Sequence, residues 1–479
     1  MMTRIKDRRE FMKKAGQGAF ASLAGAQILR LASPASASAQ QRKPNIILIL
    51  ADDLAYSDIE CYGQKVIRTP NIDRLAKEGL LFTDFYSAAP ICAPARCSLM
   101  TGLHTGHGLV RGNGSRLFPG GRVAMRPQDV TVAEVLKKAG YVTSLVGKWG
   151  LGEPDSTGTP NKKGFDEFFG YLNQNHAQHS FPDYLWKNEQ KYPLQKGEYS
   201  NDLFIREALD FVRRQSKVPF FLYFASTIPH ANPELFKVTG NGMEVPSDEP
   251  YSKETWPQLE KNFAATITRL DGDIGKLMGL LKELGLDQNT LVLFTSDNGP
   301  HNAGGHDPKF FKSAGPLRGI KGELYEGGIR VPMIARWPGR IRENAVSPEP
   351  WTLYDFLPTV AELAGTRVPG TIDGISMAPV LLGRTQPHHE YLYWESFEKG
   401  FTQAVRKGNW KAIRTSLTSP LELYDLASDI GEQNNVAARH PEIIAEIEKY
   451  LSTARTESEY WPTQQAKAGT NRKEVPPQD

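Results

Sequence analysis

The chain has 479 residues, enough to bury a large core and to form two or more domains, although α/β folds of this length often stand as one unit. Hydrophobic residues make up 40% and charged residues 23%, a balance that fits a soluble globular protein. The formal net charge of +3 is small for this length, and no long Lys/Arg run lies past the N-terminus, which argues against a nucleic-acid-binding face.

Residues 1–39 are set apart from the fold. Arg8-Arg9-Glu10-Phe11-Met12-Lys13-Lys14 resembles a twin-arginine export signal, with Asp7 where Ser or Thr is commoner. A weakly apolar stretch over 15–31 follows, and Ala37-Ser38-Ala39 supplies an Ala-x-Ala cleavage pattern. Gly16, Gly18, Gly25, Gln27 and Arg30 leave that stretch too short and polar for a stable membrane span. A basic cytoplasmic tail and an uncleaved anchor are the other readings; the expectation is a bacterial-type, exported, periplasmic protein. Three cysteines, Cys61, Cys92 and Cys97, do not make a disulfide framework, and whether Cys61 and Cys97 pair stays open.

Pro44-Asn45-Ile46-Ile47-Leu48-Ile49-Leu50 is a continuous β-rich apolar run, as expected of a parallel strand buried on both faces. It ends in Ala51-Asp52-Asp53. Ligands of open α/β sheets bind beyond the carboxyl ends of strands. Two adjacent carboxylates there repel each other and call for a divalent cation, capping of a helix being the other use of such a pair. Thr69-Pro70-Asn71 starts a short helix that stops at Gly79, and 80–86 reads as a strand.

Next comes Cys92-Ala93-Pro94-Ala95-Arg96-Cys97-Ser98-Leu99-Met100-Thr101-Gly102. Pro suits a first helical turn, so Cys92 is expected at or just before a helix N-terminus, where free N–H groups and the dipole favour an anion. Arg96 follows four residues later on the same face. Leu103-His104-Thr105-Gly106-His107 and Arg111-Gly112-Asn113-Gly114 suit either turn chemistry or a place in a substrate cleft. Thr131-Val132-Ala133-Glu134 is a capping-box pattern opening a helix to Gly140. A strand over 141–147 then delivers Lys148-Trp149-Gly150-Leu151-Gly152 at its exit.

Residues 201–215 have helical periodicity, and 219–226 is another buried strand that exits into Thr227-Ile228-Pro229-His230. A long amphipathic segment over 258–285, interrupted by glycines, precedes a strand over 290–296 that delivers Asp297-Asn298-Gly299. With Asp52 and Asp53 these make an oxygen-rich site suited to Ca²⁺, with Mg²⁺ the alternative, and no Cys/His spacing suggests zinc. Leu317-Arg318-Gly319-Ile320-Lys321-Gly322-Glu323 leads through Glu326-Gly327-Gly328 to a strand over 331–337, and 353–364 reads as a helix. Beyond Pro369 come short strand-like runs over 391–395, 402–406, 410–414 and 422–426, then a helix over 441–453 and a polar tail from 463.

Cys92-x-Pro94-x-Arg96 followed by Thr101-Gly102 resembles the signature of the type I sulfatases, in which the Cys is oxidised to Cα-formylglycine by a maturation enzyme. The stretches ending at Asp52-Asp53, Lys148, His230, Asp297-Asn298 and Lys321 match the same family, from about Lys43 to the C-terminal region. The resemblance implies an alkaline-phosphatase-like α/β fold: a large, mixed, mostly parallel sheet flanked by helices, with a smaller antiparallel C-terminal subdomain. A catalytic domain over 43–369 and a subdomain over 370–462 follow from it. It also implies that Asp52, Asp53, Asp297 and Asn298 hold Ca²⁺ together with residue 92 once modified. Arg96 then holds the formylglycine diol, Lys148 and Lys321 bind sulfate, and His230 protonates the leaving alcohol.

One position departs from the family pattern Gly-Lys-Trp-His-Leu-Gly: Gly150 stands where the His is expected. His176 and His179, in the polar stretch 173–180, are the candidates to replace it, His176 first. The activity implied is hydrolysis of sulfate monoesters, on sulfated carbohydrates or an aryl sulfate. A phosphomonoesterase or phosphodiesterase of the same superfamily and a non-catalytic sulfated-glycan-binding protein are the alternatives.

Overall fold

The computed structural model describes residues 43–118 and 120–463. The expected export segment, 1–39, and the tail past Thr463 lie outside them. Its frame is a ten-stranded sheet whose centre is five parallel strands: β1 (Asn45–Asp52), β2 (Val142–Lys148), β3 (Glu167–Tyr171), β4 (Phe220–Pro229) and β5 (Thr290–Ser296). They lie side by side in the order β5-β1-β4-β2-β3. Antiparallel Met333–Arg336 continues the sheet past β5, followed by Leu80–Phe82 and Ala345–Ser347, while the hairpin Tyr184–Lys187 and Gln190–Pro193 extends it past β3.

The apolar run of β1 is continuous because it has a core on each side. Ile46, Leu48 and Leu50 face one hydrophobic cluster and Ile47, Ile49 and Ala51 the other, all at most 1% exposed. Each buried aliphatic side chain of this kind contributes about 1.5–3 kcal/mol of apolar burial. Helix α1 (Cys92–Thr101) and helices Val132–Lys138 and Phe356–Leu363 feed the first cluster; Pro70–Lys77, Ser200–Arg214 and Gln258–Glu283 feed the second. The capping box of Thr131 and Glu134 forms in both directions, Thr131 N to Glu134 Oε2 at 2.8 Å and Glu134 N to Thr131 Oγ1 at 3.2 Å.

Two elements differ from expectation. The glycines do not interrupt the long segment: Gln258–Glu283 is one helix of 26 residues, and Gly275 serves close approach, since a β-carbon there would lie 2.6 Å from Asn71 Oδ1. The strand expected over 80–86 is split into Leu80–Phe82 and Phe85–Tyr86, because the Asp84 carboxylate between them turns to Arg330, 2.5 Å, and Arg406, 2.8 Å. All three cysteines are free, so Cys61 and Cys97 do not pair.

Leu392–Ser396, Thr402–Lys407, Trp410–Arg414 and Glu422–Asp425 form a separate four-stranded antiparallel sheet. Its faces alternate as a pleat requires. Tyr393, Val405, Ala412 and Leu423 pack with Ile447 and Leu451 of helix Pro441–Leu451, whereas Leu392, Trp394, Ala404 and Ile413 join the main core.

Ion pairs fasten this sheet to the body. Lys411, fully buried, lies 2.8 Å from Glu326 Oε1 and 2.9 Å from Glu432 Oε1. Burial raises Glu326, but Lys411, Arg330 and Arg406 overcome it and hold the carboxyl at about 2, while burial keeps Glu432 above its ordinary value. One ammonium thus serves two carboxylates that titrate apart. Replacing it strands a buried charge, so Lys411→Met is expected to cost about 3–5 kcal/mol, read as a lowered urea midpoint.

Candidate active site

Every group singled out from strand exits projects from one edge, the carboxyl ends of the parallel strands. Asp52 closes β1 and Asp53 follows it at φ +69°, a left-handed backbone that Asp tolerates better than most residues. There the Asp53 N–H donates to Asp297 Oδ1 at 3.1 Å, linking the exits of β1 and β5. Lys148 closes β2 immediately after Gly147, whose φ of +113° and contact with β4 (a β-carbon would lie 1.9 Å from Ala225 O) admit glycine alone.

Helix α1 brings Cys92 and Arg96 onto this edge on one face, as their spacing predicts. The Cys92 thiol donates to Asp52 Oδ1 at 3.3 Å, and Arg96 Nη2 lies 3.6 Å from the same oxygen. Arg96 donates from Nε (3.0 Å) and Nη2 (2.8 Å) to Asp297 Oδ2, and from Nη1 to the Lys148 carbonyl at 2.8 Å. Lys148 Nζ reaches Asp52 Oδ2 at 2.6 Å, and Lys321 Nζ spans Asp53 Oδ1 and Oδ2 at 2.7 and 2.8 Å. The turn bearing Lys321 is itself docked on the start of α1 through Gly322 N to Pro90 O, 2.8 Å.

Three carboxylates therefore face three cations in a pocket where all but Lys321 (side chain 18% exposed) are essentially inaccessible. Burial alone raises the carboxyls. At Asp53, Lys321 and His230 reverse this and hold it at about 2; at Asp52, Lys148, His230 and Arg96 hold it well below the usual range. Asp297 goes the other way: burial and the adjacent Asp52 charge push it up to about 6 in spite of Arg96. Burial and Asp52 also push the Cys92 thiol up, so it is held protonated.

Ligand atoms of Asp52, Asp53, Cys92 and His230 all lie within 4.8 Å of one another. Asn298 completes the set. Its Nδ2 donates to Asp53 Oδ1 at 2.7 Å, while its Oδ1 is buried without a hydrogen-bond partner. A buried, unpaired amide oxygen beside two carboxylates is the donor set a hard divalent cation takes, so these residues fit such an ion.

His230 is oriented by its backbone. Nδ1 lies 2.6 Å from the Ala231 carbonyl and must donate its proton there, which turns Nε2 toward Asp53 Oδ2 at 3.6 Å. Burial and Lys321 push the ring down to about 4. His301, which the sequence reading did not single out, supports this ring: the two are stacked at 6.1 Å, and His301 Nε2 lies 3.1 Å from the Pro229 carbonyl. Its position just past Asp297-Asn298-Gly299-Pro300, at a strand exit, was the available signal.

His176 is not among the residues brought together here. Its ring packs edge-on against Tyr171 at 4.9 Å and tilted against Tyr184 at 4.4 Å, and burial pushes it down to about 4. This aromatic seat, three residues past the β3 exit loop at Asn173, is why it serves packing. His179 lies beside Asn232, at 3.1 Å.

The loop residues over 103–114 resolve toward structure. Arg111, buried, pairs with Glu395 at 2.8 Å, and His107 pairs with Asp373 at 2.9 Å. His104 lies 3.7 Å from Asp373, but its Nδ1 accepts the Gly106 N–H, so a neutral ring carries its proton on Nε2 and offers no lone pair to a metal. Asn113 serves the helix instead, its Oδ1 accepting the Ala93 N–H at 2.9 Å and so satisfying a free donor in the first turn of α1.

The chain is similar along most of its length to proteins of known activity. The family model described as Sulfatase matches residues 44–366, and that described as N-sulphoglucosamine sulphohydrolase, C-terminal, matches 321–457. Human arylsulfatase A is 34% identical over 89% of this chain and 90% of its own length. The N-acetylgalactosamine-6-sulfatase of Canis lupus familiaris is 34% identical over 86% and 79%. Among solved structures, that of Ps i-CgsB in complex with k-i-k-neocarrahexaose superposes with a TM-score of 0.76 at 31% identity, covering 89% of this chain and 94% of the other.

The Asn113 bond is separable from the charged pocket. Asn113→Ala is expected to lower stability by about 1 kcal/mol through the lost helix cap, measured as a shifted urea midpoint with unchanged slope.

Proposed function

The chain belongs to the sulfatase family and is a sulfuric ester hydrolase, and from that premise we propose that it desulfates sulfated sugars using formylglycine derived from Cys92 beside a bound Ca²⁺. The observation carrying this reading is the convergence of Cys92, Asp52, Asp53 and His230 ligand atoms within 4.8 Å, with the unpaired Asn298 Oδ1 alongside. Asp52, Asp53, Asp297 and Asn298, with the modified residue 92, would hold the ion. When bound, Ca²⁺ would supply positive charge at the sulfuryl group and favour the formylglycine hydrate as nucleophile; the hydrate's second hydroxyl, on losing its proton, would expel sulfate and restore the aldehyde.

Charge balance supports the assignment. Asp52, Asp53 and Asp297 are matched by Arg96, Lys148 and Lys321, so a divalent ion leaves a surplus of positive charge for an anionic ester. Arg96, tied to Asp297 and to the Lys148 carbonyl, orients residue 92. Lys148 and Lys321 bind sulfuryl oxygens once released from Asp52 and Asp53. Lys321 and His230 lie at the accessible side, with side chains 18% and 8% exposed, where an ester would enter. With Nδ1–H committed to Ala231, His230 Nε2 carries the ring's free lone pair, so it is the atom that would take up a proton and pass it to the departing alcohol.

Sulfated sugars are the substrate class because the similar structures and relatives named above include a carrahexaose complex and an amino-sugar sulfatase. The same reading keeps 43–369 as the catalytic domain and 370–462 as a smaller subdomain. It also keeps twin-arginine export of the folded chain to the periplasm, with a formylglycine-generating enzyme as maturation partner. Among the described residues no helix is long and apolar enough to cross a membrane.

Peptide mass spectrometry across residue 92, in protein made with the maturation enzyme, is expected to find the aldehyde in place of the thiol. That protein is expected to cleave 4-nitrophenyl sulfate in preference to the phosphate; a reversed preference would identify a phosphoesterase. Lys321→Ala is expected to lower kcat/KM about 10- to 100-fold, the worth of a hydrogen bond to a charged group, with calcium content by elemental analysis unchanged. Loss of the calcium would instead assign Lys321 to the ion site.

A further inference from the structure

Gly150 follows Lys148 by two residues at the exit of β2, with a left-handed backbone at φ +82°. Trp149 N donates to Tyr171 O at 2.9 Å and Gly150 N to Leu172 O at 3.0 Å, so β2–β3 pairing continues past Lys148. β3 thereby delivers Gln174 to the edge from which Asp52, Lys148, His230 and Asp297 project. Gln174 is 5% exposed. A β-carbon on residue 150 would lie 2.0 Å from Gln174 Nε2 and 2.9 Å from its Cδ, so the carboxamide fills the space a side chain at 150 would need.

Neither Nε2 nor Oε1 of Gln174 has a hydrogen-bond partner among the described residues, although both are buried. The neighbouring polar groups are already committed: Asn173 Nδ2 to Glu153 at 3.4 Å and Asn173 Oδ1 to the His176 N–H at 2.8 Å. Burying a carboxamide with both ends unpaired costs the fold free energy, and such a group calls for a partner from outside the chain. The residue it covers, Gly150, follows the sulfate-assigned Lys148 by two positions.

We propose that Gln174 is a substrate-binding residue whose carboxamide, seated over Gly150, donates from Nε2 to a sulfuryl oxygen of the ester and accepts at Oε1 from a sugar hydroxyl. The proposal rests on the sulfatase reading above. A carboxamide neither gives nor takes a proton near neutral pH, so Gln174 binds and orients the ester and leaves proton transfer to other groups.

The test uses calcium-loaded, formylglycine-converted protein and two variants. Gln174→Met keeps side-chain length while removing the polar ends; Gly150→Ala displaces the carboxamide without altering it. Calorimetry with inorganic sulfate and turnover of 4-nitrophenyl sulfate are the readouts. Both variants are expected to weaken sulfate binding and raise KM about tenfold, with the pH profile of kcat/KM unmoved and the thermal midpoint of Gln174→Met no lower than that of the unaltered chain. Sulfate affinity within about twofold of the unaltered chain in Gln174→Met overturns the proposal, and a lowered midpoint with unchanged affinity does so by assigning Gln174 to packing. Sulfate binding that depends on Gln174 in a protein that releases no sulfate from the ester would uphold the residue's role and remove the hydrolytic reading, so the two failures are distinct.

Discussion

The constraint on which this structure turns is the burial of charge that must be answered in place. Asp52, Asp53 and Asp297 are withdrawn from water at the exits of neighbouring strands, and each is met by a cation from another part of the chain: Lys148, Lys321 and Arg96. A carboxylate in such surroundings pays several kcal/mol for lost hydration, so removing any one partner is far more damaging than its own bond would suggest. The arrangement therefore couples segments more than two hundred residues apart. It also ties the pocket's charges to one another, Lys148 to Asp52, Lys321 to Asp53 and Arg96 to Asp297.

Around that pocket the scaffold is arranged to aim side chains. The two-sided apolar run of β1 places Asp52 and Asp53 at a buried edge, Gly147 lets β2 press against β4 just before Lys148, and α1 turns its sequence spacing of four into a shared face. His230 and His301 add a second kind of control. In each ring one nitrogen faces a backbone carbonyl, and for His230 this settles which atom faces the site.

Much of this was legible in the sequence, and for a consistent reason. Residues at the ends of buried strands inherit their position from the strand, so Asp52, Asp53, Lys148, His230, Asp297 and Asn298 could be placed by reading where apolar runs stop. Arg96 followed from helical period. Where the polypeptide leaves regular structure that logic stops: His176 lies in the loop after β3, and only its contacts with Tyr171 and Tyr184 reveal a packing role. Asn113, which caps α1 from a loop twenty residues downstream, and His301, which props His230, gave no periodic signal. The strand expected over 80–86 was broken by a long-range partner of Asp84 that no local pattern encodes.

The Lys411 clamp bears on how the protein can be cut. The match to the Sulfatase model ends at 366, a natural place to shorten the chain, yet Lys411 and Arg406, lying past it, share with Arg330 the neutralisation of Glu326 and Asp84 within the α/β body. A fragment stopped there would keep every group of the charged pocket and leave Arg330 alone to answer both carboxylates. The shortest autonomous version of this enzyme must retain the small sheet.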